Sequence, residues 1–474
     1  MNSFAAWRPD IYGPNKPFTD VATGCVPQSS SAGGIGYGPF PQLVTAAGAD
    51  ALPGAPRGGI SLQKADLTWQ VFYATATTIE ALQSDYSWTE IENTRTVPTG
   101  KDVSFCYFGK YLLNSDTSDG YKAYDVDAGG TNSAVSGAPA AEFIFSANNV
   151  VFALAPSGSP RRFQSSDTGR HDRWTGGAAN GKTFEDGGGL VCGADLKNGT
   201  AVLFQERAIR QVTFGAGVST YSIAKIADGR GCVHARTMAA FDGQVFWFDV
   251  DGPWGMAAGG APRPIGAEKI TRWLEANIGV DNYGDLQAVI EPTRNLVLWR
   301  IDATRALAYN WLIQEFTILP VACAALTRIS TPGVSVDSLV GTIDSLSSII
   351  DNRDWAGNSP VLGALDASYK FATFTGSNMA ASIRTGVLHA PLSRRIRRLT
   401  PISDNPASTI TVGTSGSLSG AISWGSASAR VSNGTVPLDE RGLVAVYQED
   451  HAAGDVWTYA NGVDHIEERY GGKS

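Results

Sequence analysis

Histidine, cysteine and clustered carboxylates are the residue types that could hold a metal or move a proton in this chain. Its five histidines, His171, His234, His389, His451 and His465, stand far from one another. None lies at ligand spacing from the five cysteines, Cys25, Cys106, Cys192, Cys232 and Cys323, so no local metal motif forms. There is no Gly-x-x-x-x-Gly-Lys-Ser/Thr loop, no Gly-x-Gly-x-x-Gly opening a helix, and no Gly-x-Ser-x-Gly elbow. Asp125-Val126-Asp127 and Asp249-Val250-Asp251-Gly252 alternate oxygen ligands as calcium loops do. Both lack the closing glutamate and read as ordinary turns. We therefore assign no catalytic residue, no cofactor-binding residue and no metal ligand, and expect neither enzyme activity nor a cofactor. The dense basic run is Arg394-Arg395-Ile396-Arg397-Arg398. Guanidinium groups so placed can meet phosphates or the carboxylates of a partner. The simpler reading, an exposed or interfacial strand end, is preferred, and Arg394, Arg395, Arg397 and Arg398 are the interface candidates.

The bulk composition narrows the partners. The formal net charge of -8 argues against a nucleic-acid binder held by counterion release. It leaves room for a wall past which DNA slides, because weak repulsion favours passage over grip. Charged residues are 17% of the chain, low against the usual quarter, which suits a subunit covered by neighbours. The first twenty residues have no charged start followed by an apolar run, so no signal peptide is read. Apolar runs such as Val150 to Ala155 are too short for a membrane anchor. Odd in number and widely spaced, the cysteines read as buried free thiols of a protein made in a cytoplasm.

The elements that would position any site are mainly β. Residues 1–65, with 54 glycines and 23 prolines in the whole chain setting the tone, show no sustained period and read as an extended arm lying along another surface. Residues 66–331 carry short β runs separated by turn residues. Phe143 to Phe145 and Val150 to Leu154 flank Asn148-Asn149; Leu190 to Ala194 and Ala201 to Gln205 flank Lys197-Asn198-Gly199; Thr237 to Phe241 and Gln244 to Asp249 flank Asp242-Gly243. Val245-Phe246-Trp247-Phe248 is apolar on both faces, as a strand covered on both sides must be. Ile270, Trp273, Leu274 and Ile278 share a face at helical spacing within Gly266 to Ile278. At about 40–45 residues per blade, this stretch holds about six blades of a β-propeller; stacked sandwiches are the alternative. Ser165-Ser166-Asp167-Thr168-Gly169 with Trp174 comes close to the Asp-box of sialidase-like propellers, a turn that packs its aromatic residue and is not catalytic. Its tryptophan falls two residues late. Residues 332–474 read as an additional C-terminal β region with a charged, partly exposed tail.

The order of segments resembles a known family. Trp7-Arg8-Pro9-Asp10, Val26-Pro27 and Tyr37-Gly38-Pro39 come first, then Phe108-Gly109-Lys110-Tyr111 and Pro160-Arg161-Arg162-Phe163 leading to Trp174. Leu203 to Arg210, Phe246 to Gly252, Pro264-Ile265-Gly266 with the helix, Glu291-Pro292-Thr293-Arg294-Asn295 and Leu307-Ala308-Tyr309-Asn310 follow. Over most of residues 1–330 this succession resembles the tail nozzle or hub proteins of short-tailed bacteriophages, also called tail tubular or packaged-DNA stabilisation proteins. The resemblance implies a propeller-bearing structural protein of the virion tail, assembled in the host cytoplasm into a homo-hexameric ring. The ring would continue and close the DNA exit channel below the portal and the tail adaptor, the head-to-tail connector. Its partners would be that adaptor, tail fibres, spikes or a needle, and passing genomic DNA bound without sequence specificity. The alternatives are a carbohydrate-binding or carbohydrate-degrading propeller that recognises a host receptor, and another minor tail protein.

Overall fold

Local turn chemistry sets the hairpins. Asn148 and Asn149 take φ of +47° and +60°, and Asp242 and Gly243 take +46° and +77°. Consecutive positive φ values reverse a hairpin with the twist its strands need. The strands on either side, Ala141–Ala147 with Val150–Pro156 and Ala239–Phe241 with Gln244–Asp249, pair antiparallel as the sequence predicts. In Gln244–Asp249 alternate side chains leave opposite faces. Val245 and Trp247 enter one core with Phe204 and Trp254, while Phe246 and Phe248 enter another with Trp299. The strand is covered on both sides by neighbouring sheets.

A computed structural model describes residues 2–11, 16–30, 34–66, 68–215, 221–330 and 360–470. Six four-stranded antiparallel sheets stand as separate blades, matching the number expected. They begin at Gly59, Ser104, Ala141, Leu190, Ala239 and Cys323. Between the last two lies a further four-stranded meander, Gln287–Glu291, Leu296–Arg300, Arg305–Asn310 and Glu315–Pro320. Its first strand lies beside that of each neighbouring blade, but the meander is part of a larger sheet and is not a separate blade. Its outermost strand continues by hydrogen bonds into a second sheet. The ring closes where Cys323–Ser330 packs against Gly59–Gln63. The blade starting at Cys323 contains Pro360–Asp366 and Phe371–Thr373, and takes its fourth strand, Val44–Thr45, from the N-terminal segment. A strand from one end of the chain thus fastens the blade formed near the other. This blade spans the division drawn at 331/332, so the propeller runs on to about Thr373, and residues 331–359 lie outside the described residues.

The second sheet is built from both chain ends. Its order after Glu315–Pro320 is Thr19–Thr23, Ala381–Thr385, Val436–His451, Leu388–Ser403, Ala460–Tyr470, Gly34–Pro39 and Cys25–Ser30. Cys25–Ser30 packs back against Glu315–Pro320, so the sheet curls upon itself. One core joins the two bodies: Phe4, Trp7, Tyr37 and Trp457 cluster with Trp299, Tyr309 and Phe316 from the propeller. The described residues before Gly59 are extended, as expected, and the surface they lie along belongs to their own chain. Gly59–Gln63, drawn inside the arm of residues 1–65, is instead the first strand of the first blade, because it pairs with Trp69–Ala74. The described part of the C-terminal tail is partly exposed, as read: Thr458 and Tyr459 are exposed while Trp457, Ala460 and Val463 are buried. The N-terminal segment is held by β pairing with partners about 400 residues away in sequence, such as Ser3 with Gly462, which repays the chain entropy that glycine- and proline-rich composition exposes. The helix is Thr271–Asn277, with Ile270 and Leu274 buried in the same joint core. All five cysteines are buried and unpaired.

Candidate functional site

Three places in the structure gather chemistry: a charged strand in the C-terminal sheet, the junction between the two bodies, and the mouth of the propeller channel.

The arginine run lies within Leu388–Ser403, in the middle of the sheet between Val436–His451 and Ala460–Tyr470. Arg394 is buried, Arg397 is half-buried, and Arg395 and Arg398 are exposed. Arg395 forks onto both carboxylate oxygens of Asp439, which holds that carboxyl below the ordinary range. Register also sets Arg395 directly opposite Arg441. Like charges directly opposite on a sheet are destabilising, so Asp439 answers only part of the positive charge here. Exposed Leu392 lies three residues away on the same strand.

The junction is built from segments that the sequence separates widely. The helix Thr271–Asn277 has no side-chain cap of its own at Ile270. Its free N–H groups need acceptors. Asp10, 262 residues before Arg272, supplies them: its carboxylate accepts from the N–H groups of Arg272 and Trp273, both at 2.8 Å. Beside it Arg8 and Lys269 donate to Glu315 at 2.8 and 3.3 Å, and Trp7 meets Trp273 edge-on with centroids 5.3 Å apart. Asn310 donates to the carbonyl of Pro27 at 3.2 Å. Segments from the start, middle and end of the series of motifs therefore meet at one seam.

The channel mouth is ringed by the starts of the inner strands. Gly59, Ser104, Glu142, Leu190, Met238, Gln287 and Ala324 enclose a cavity of about 580 Å³. Phe105, Phe143, Val191 and Pro98 give it apolar walls. Its charged groups are mostly committed. Lys101 pairs with Glu142 at 2.6 Å and Arg236 with Asp102 at 2.7 Å. Asp116 is held by buried Arg95. His234 accepts from the Arg236 N–H through Nδ1 at 3.2 Å, and burial, reinforced by the Arg236 charge, lowers its pKa. Its proton is accordingly on Nε2. Arg300 differs. Register places it opposite Gln287, whose amide is engaged by both backbone groups of Leu326 at 3.0 and 2.9 Å. The Arg300 Nε is buried with no hydrogen-bond partner, and among the described residues no carboxylate forms an ion pair with it.

The remaining sequence candidates have structural surroundings. The near Asp-box forms a turn between Arg162–Ser165 and Asn180–Thr183. Asp167 accepts from the N–H groups of Thr168 and Ala178, and Trp174 is buried against Tyr121. Asp125 pairs with Lys110, and Asp251 with Arg230. Among the described residues no group of three or more His, Cys, Asp or Glu could hold a metal. None of their helices is long and apolar enough to cross a membrane.

His451 is buried, stacked on Trp457 with ring centroids 4.1 Å apart, and its Nδ1 meets Asn405. Burial lowers its pKa against the opposing pull of Glu449 and Asp455. A folded-state pKa below the unfolded one means that the unfolded chain binds more protons across that interval. Stability is therefore highest above the ordinary histidine value and falls as pH drops below about 6.5 toward the depressed value. His451→Gln should flatten the pH dependence of thermal unfolding between pH 6.5 and 5. An unchanged slope in the variant would remove His451 from this account.

No family model matches the chain, and no curated protein does. Among solved structures, the WD40 repeats of RRP9 match with TM-score 0.40 at 9% identity, over 61% of this chain and 88% of that one. The structure of U3-55K matches with TM-score 0.39 at 10% identity, over 60% and 89%. The propeller is read from the chain's own hydrogen-bond topology and not from these likenesses.

Neither the arginine run nor the motif series points to the channel mouth, because Arg300 is a solitary arginine at a strand end. Asp10 is legible only as part of the first motif, and no sequence signal ties it to a helix that begins at Thr271.

Proposed function

We propose that this chain is the tail nozzle or hub subunit of a short-tailed bacteriophage. Six copies form a ring that continues and closes the DNA exit channel below the portal and adaptor. The observation that carries this reading is the junction. Trp7-Arg8-Pro9-Asp10, Val26-Pro27, the helix after Pro264-Ile265-Gly266 and Leu307 to Asn310 were matched only by their order along the chain, and they make one set of contacts. A series of motifs spent on locking a propeller to a second body suits a ring component whose task is shape. On this reading the propeller and the curled sheet offer separate faces to the adaptor and to fibres, spikes or a needle, while DNA passes without sequence readout. Mass spectrometry of purified virions, with imaging of their tails, tests it. Six copies below the adaptor are expected; virions lacking the chain would end the proposal.

The arginine strand gives a second test. Arg395 and Arg397 sit at the surface, where solvent screening makes the loss of an ion pair cost little. Arg395→Ala with Arg397→Ala should leave the melting temperature nearly unchanged and DNA affinity negligible, while weakening assembly with the ring or its partners. Full assembly by the double variant, or these arginines facing DNA in the bore, would count against the role.

A further inference from the structure

We infer that His451 is the catch of an acid-sensitive latch: on taking up a proton it releases the loop of residues 452–459 and withdraws Trp457 from the core that joins the two bodies. The site lies within one chain, and the inference is independent of the tail assignment. Apart from Asp455 and Trp457, every residue of this loop is exposed. Trp457 enters the core shared by Phe4, Trp7 and Tyr37. Its Nε1 has no hydrogen-bond partner, and its ring is stacked on that of His451 at an interplanar angle of 12°.

Asn405 decides which form of the histidine fits. Its Oδ1 accepts from the Ala407 N–H at 2.9 Å, and its Nδ2 donates to Asp455 Oδ2 at 2.9 Å. Turned over, the amide would set oxygen against carboxylate and N–H against N–H, so its orientation is fixed. The second N–H of the same Nδ2 therefore faces His451 Nδ1 at 2.9 Å, and that nitrogen must present a lone pair. A proton added there points at a donor. The other nitrogen gives no relief, since Nε2 is buried without a hydrogen-bond partner and Glu449 Oε1 lies 3.8 Å away. The charged groups that face the ring are committed elsewhere. Glu449 accepts from Arg430 at 3.1 Å and from Ser403, Asp455 from Asn405 and the Ala452 N–H, and Asp450 from Gln448. An imidazolium is thus satisfied by moving out to water, or by turning Asn405 and losing its bond to Asp455. Either movement frees the loop. Burial depresses the His451 pKa in the closed form. The open loop therefore binds the proton more tightly, and opening grows as pH falls from about 6.5 toward the depressed value, by up to about tenfold per pH unit.

The test is amide hydrogen exchange on the full chain between pH 7.5 and 5, corrected for the intrinsic exchange rate at each pH. The reporters are the N–H groups of Gly454, bonded to the Asn378 carbonyl, and Asp455, bonded to that of Ala452. Phe152, buried within the propeller strand Val150–Pro156, serves as the reference for unfolding of the whole chain. Protection at Gly454 and Asp455 should fall roughly three- to tenfold per pH unit below 6.5, with both exchanging faster than Phe152 throughout. His451→Gln and His451→Phe, the second keeping a ring against Trp457, should hold that protection constant with pH. Constant protection in the natural protein would overturn the inference, as would the same fall in both variants. Exchange at Gly454 and Asp455 no faster than at Phe152 would mean that the loop opens only with the whole chain, and would also overturn it.

Discussion

Deleting residues 1–45 is expected to abolish cooperative folding of the whole chain, including the propeller, whose first strand starts at Gly59. Two losses combine. Phe4, Trp7, Tyr37 and Phe40 are each 3% exposed or less, and each contributes roughly 1.5–3 kcal/mol by burial. Together they amount to on the order of 10 kcal/mol, comparable with the entire stability of an ordinary domain. The deletion also removes Val44–Thr45, the strand that fastens the blade of Cys323–Ser330. It opens the sheet between Glu315–Pro320 and Ala381–Thr385 by removing Thr19–Thr23 from between them. The helix Thr271–Asn277 loses the Asp10 carboxylate from its first turn. Circular dichroism and urea titration of the truncated chain should show no sharp transition, and the product should be aggregation-prone along its new open edges. A truncated chain that unfolds with the natural midpoint would show that the N-terminal segment is an accessory, as its composition suggests.

That composition misled for a physical reason. Glycines and prolines in Cys25–Ser30 and Gly34–Pro39 break any period of two, so the segment reads as an extended arm without paired strands. The structure shows what the glycines are for. A side chain at Gly36 would collide with Asn461, and one at Gly38 with Gln28. They permit close approach to partners that no local window contains. The turns at Asn148-Asn149 and Asp242-Gly243 were legible because their cause is local: two adjacent residues accept positive φ and the flanking strands follow. Blade number followed from turn spacing. Membership of the blade closed by Val44–Thr45 did not, since residues 331–359 and most of the chain separate its strands. At the candidate site, the arginine run was visible as charge density, while Asp439 and Arg441 beside it are known only from register. Arg300 carries no local signature.

The second large effect is expected at Arg95, whose guanidinium is wholly buried between the first two blades. It donates to Glu92 through Nε and Nη2 at 3.3 and 3.2 Å, and it also contacts Asp116 and Asn114. Asn132 adds a bond to Glu92 at 2.6 Å, and Lys122 approaches the other Glu92 oxygen. Glu92 closes the first blade while Asn114, Asp116, Lys122 and Asn132 belong to the second or its loop. The network is thus a polar clip across a blade interface that is otherwise apolar. Arg95→Ala leaves two buried carboxylates with one remaining cation, and breaking a buried pair from one side typically costs about 3–5 kcal/mol. Arg95→Met with Asp116→Asn leaves Glu92 paired with Lys122 and no carboxylate uncompensated, and should recover more than half of the lost stability. Urea unfolding of the single and double variants decides between this clip and a merely packed arginine. Equal destabilisation in both would mean that Arg95 acts through its volume, and that the carboxylates around it are held by other means.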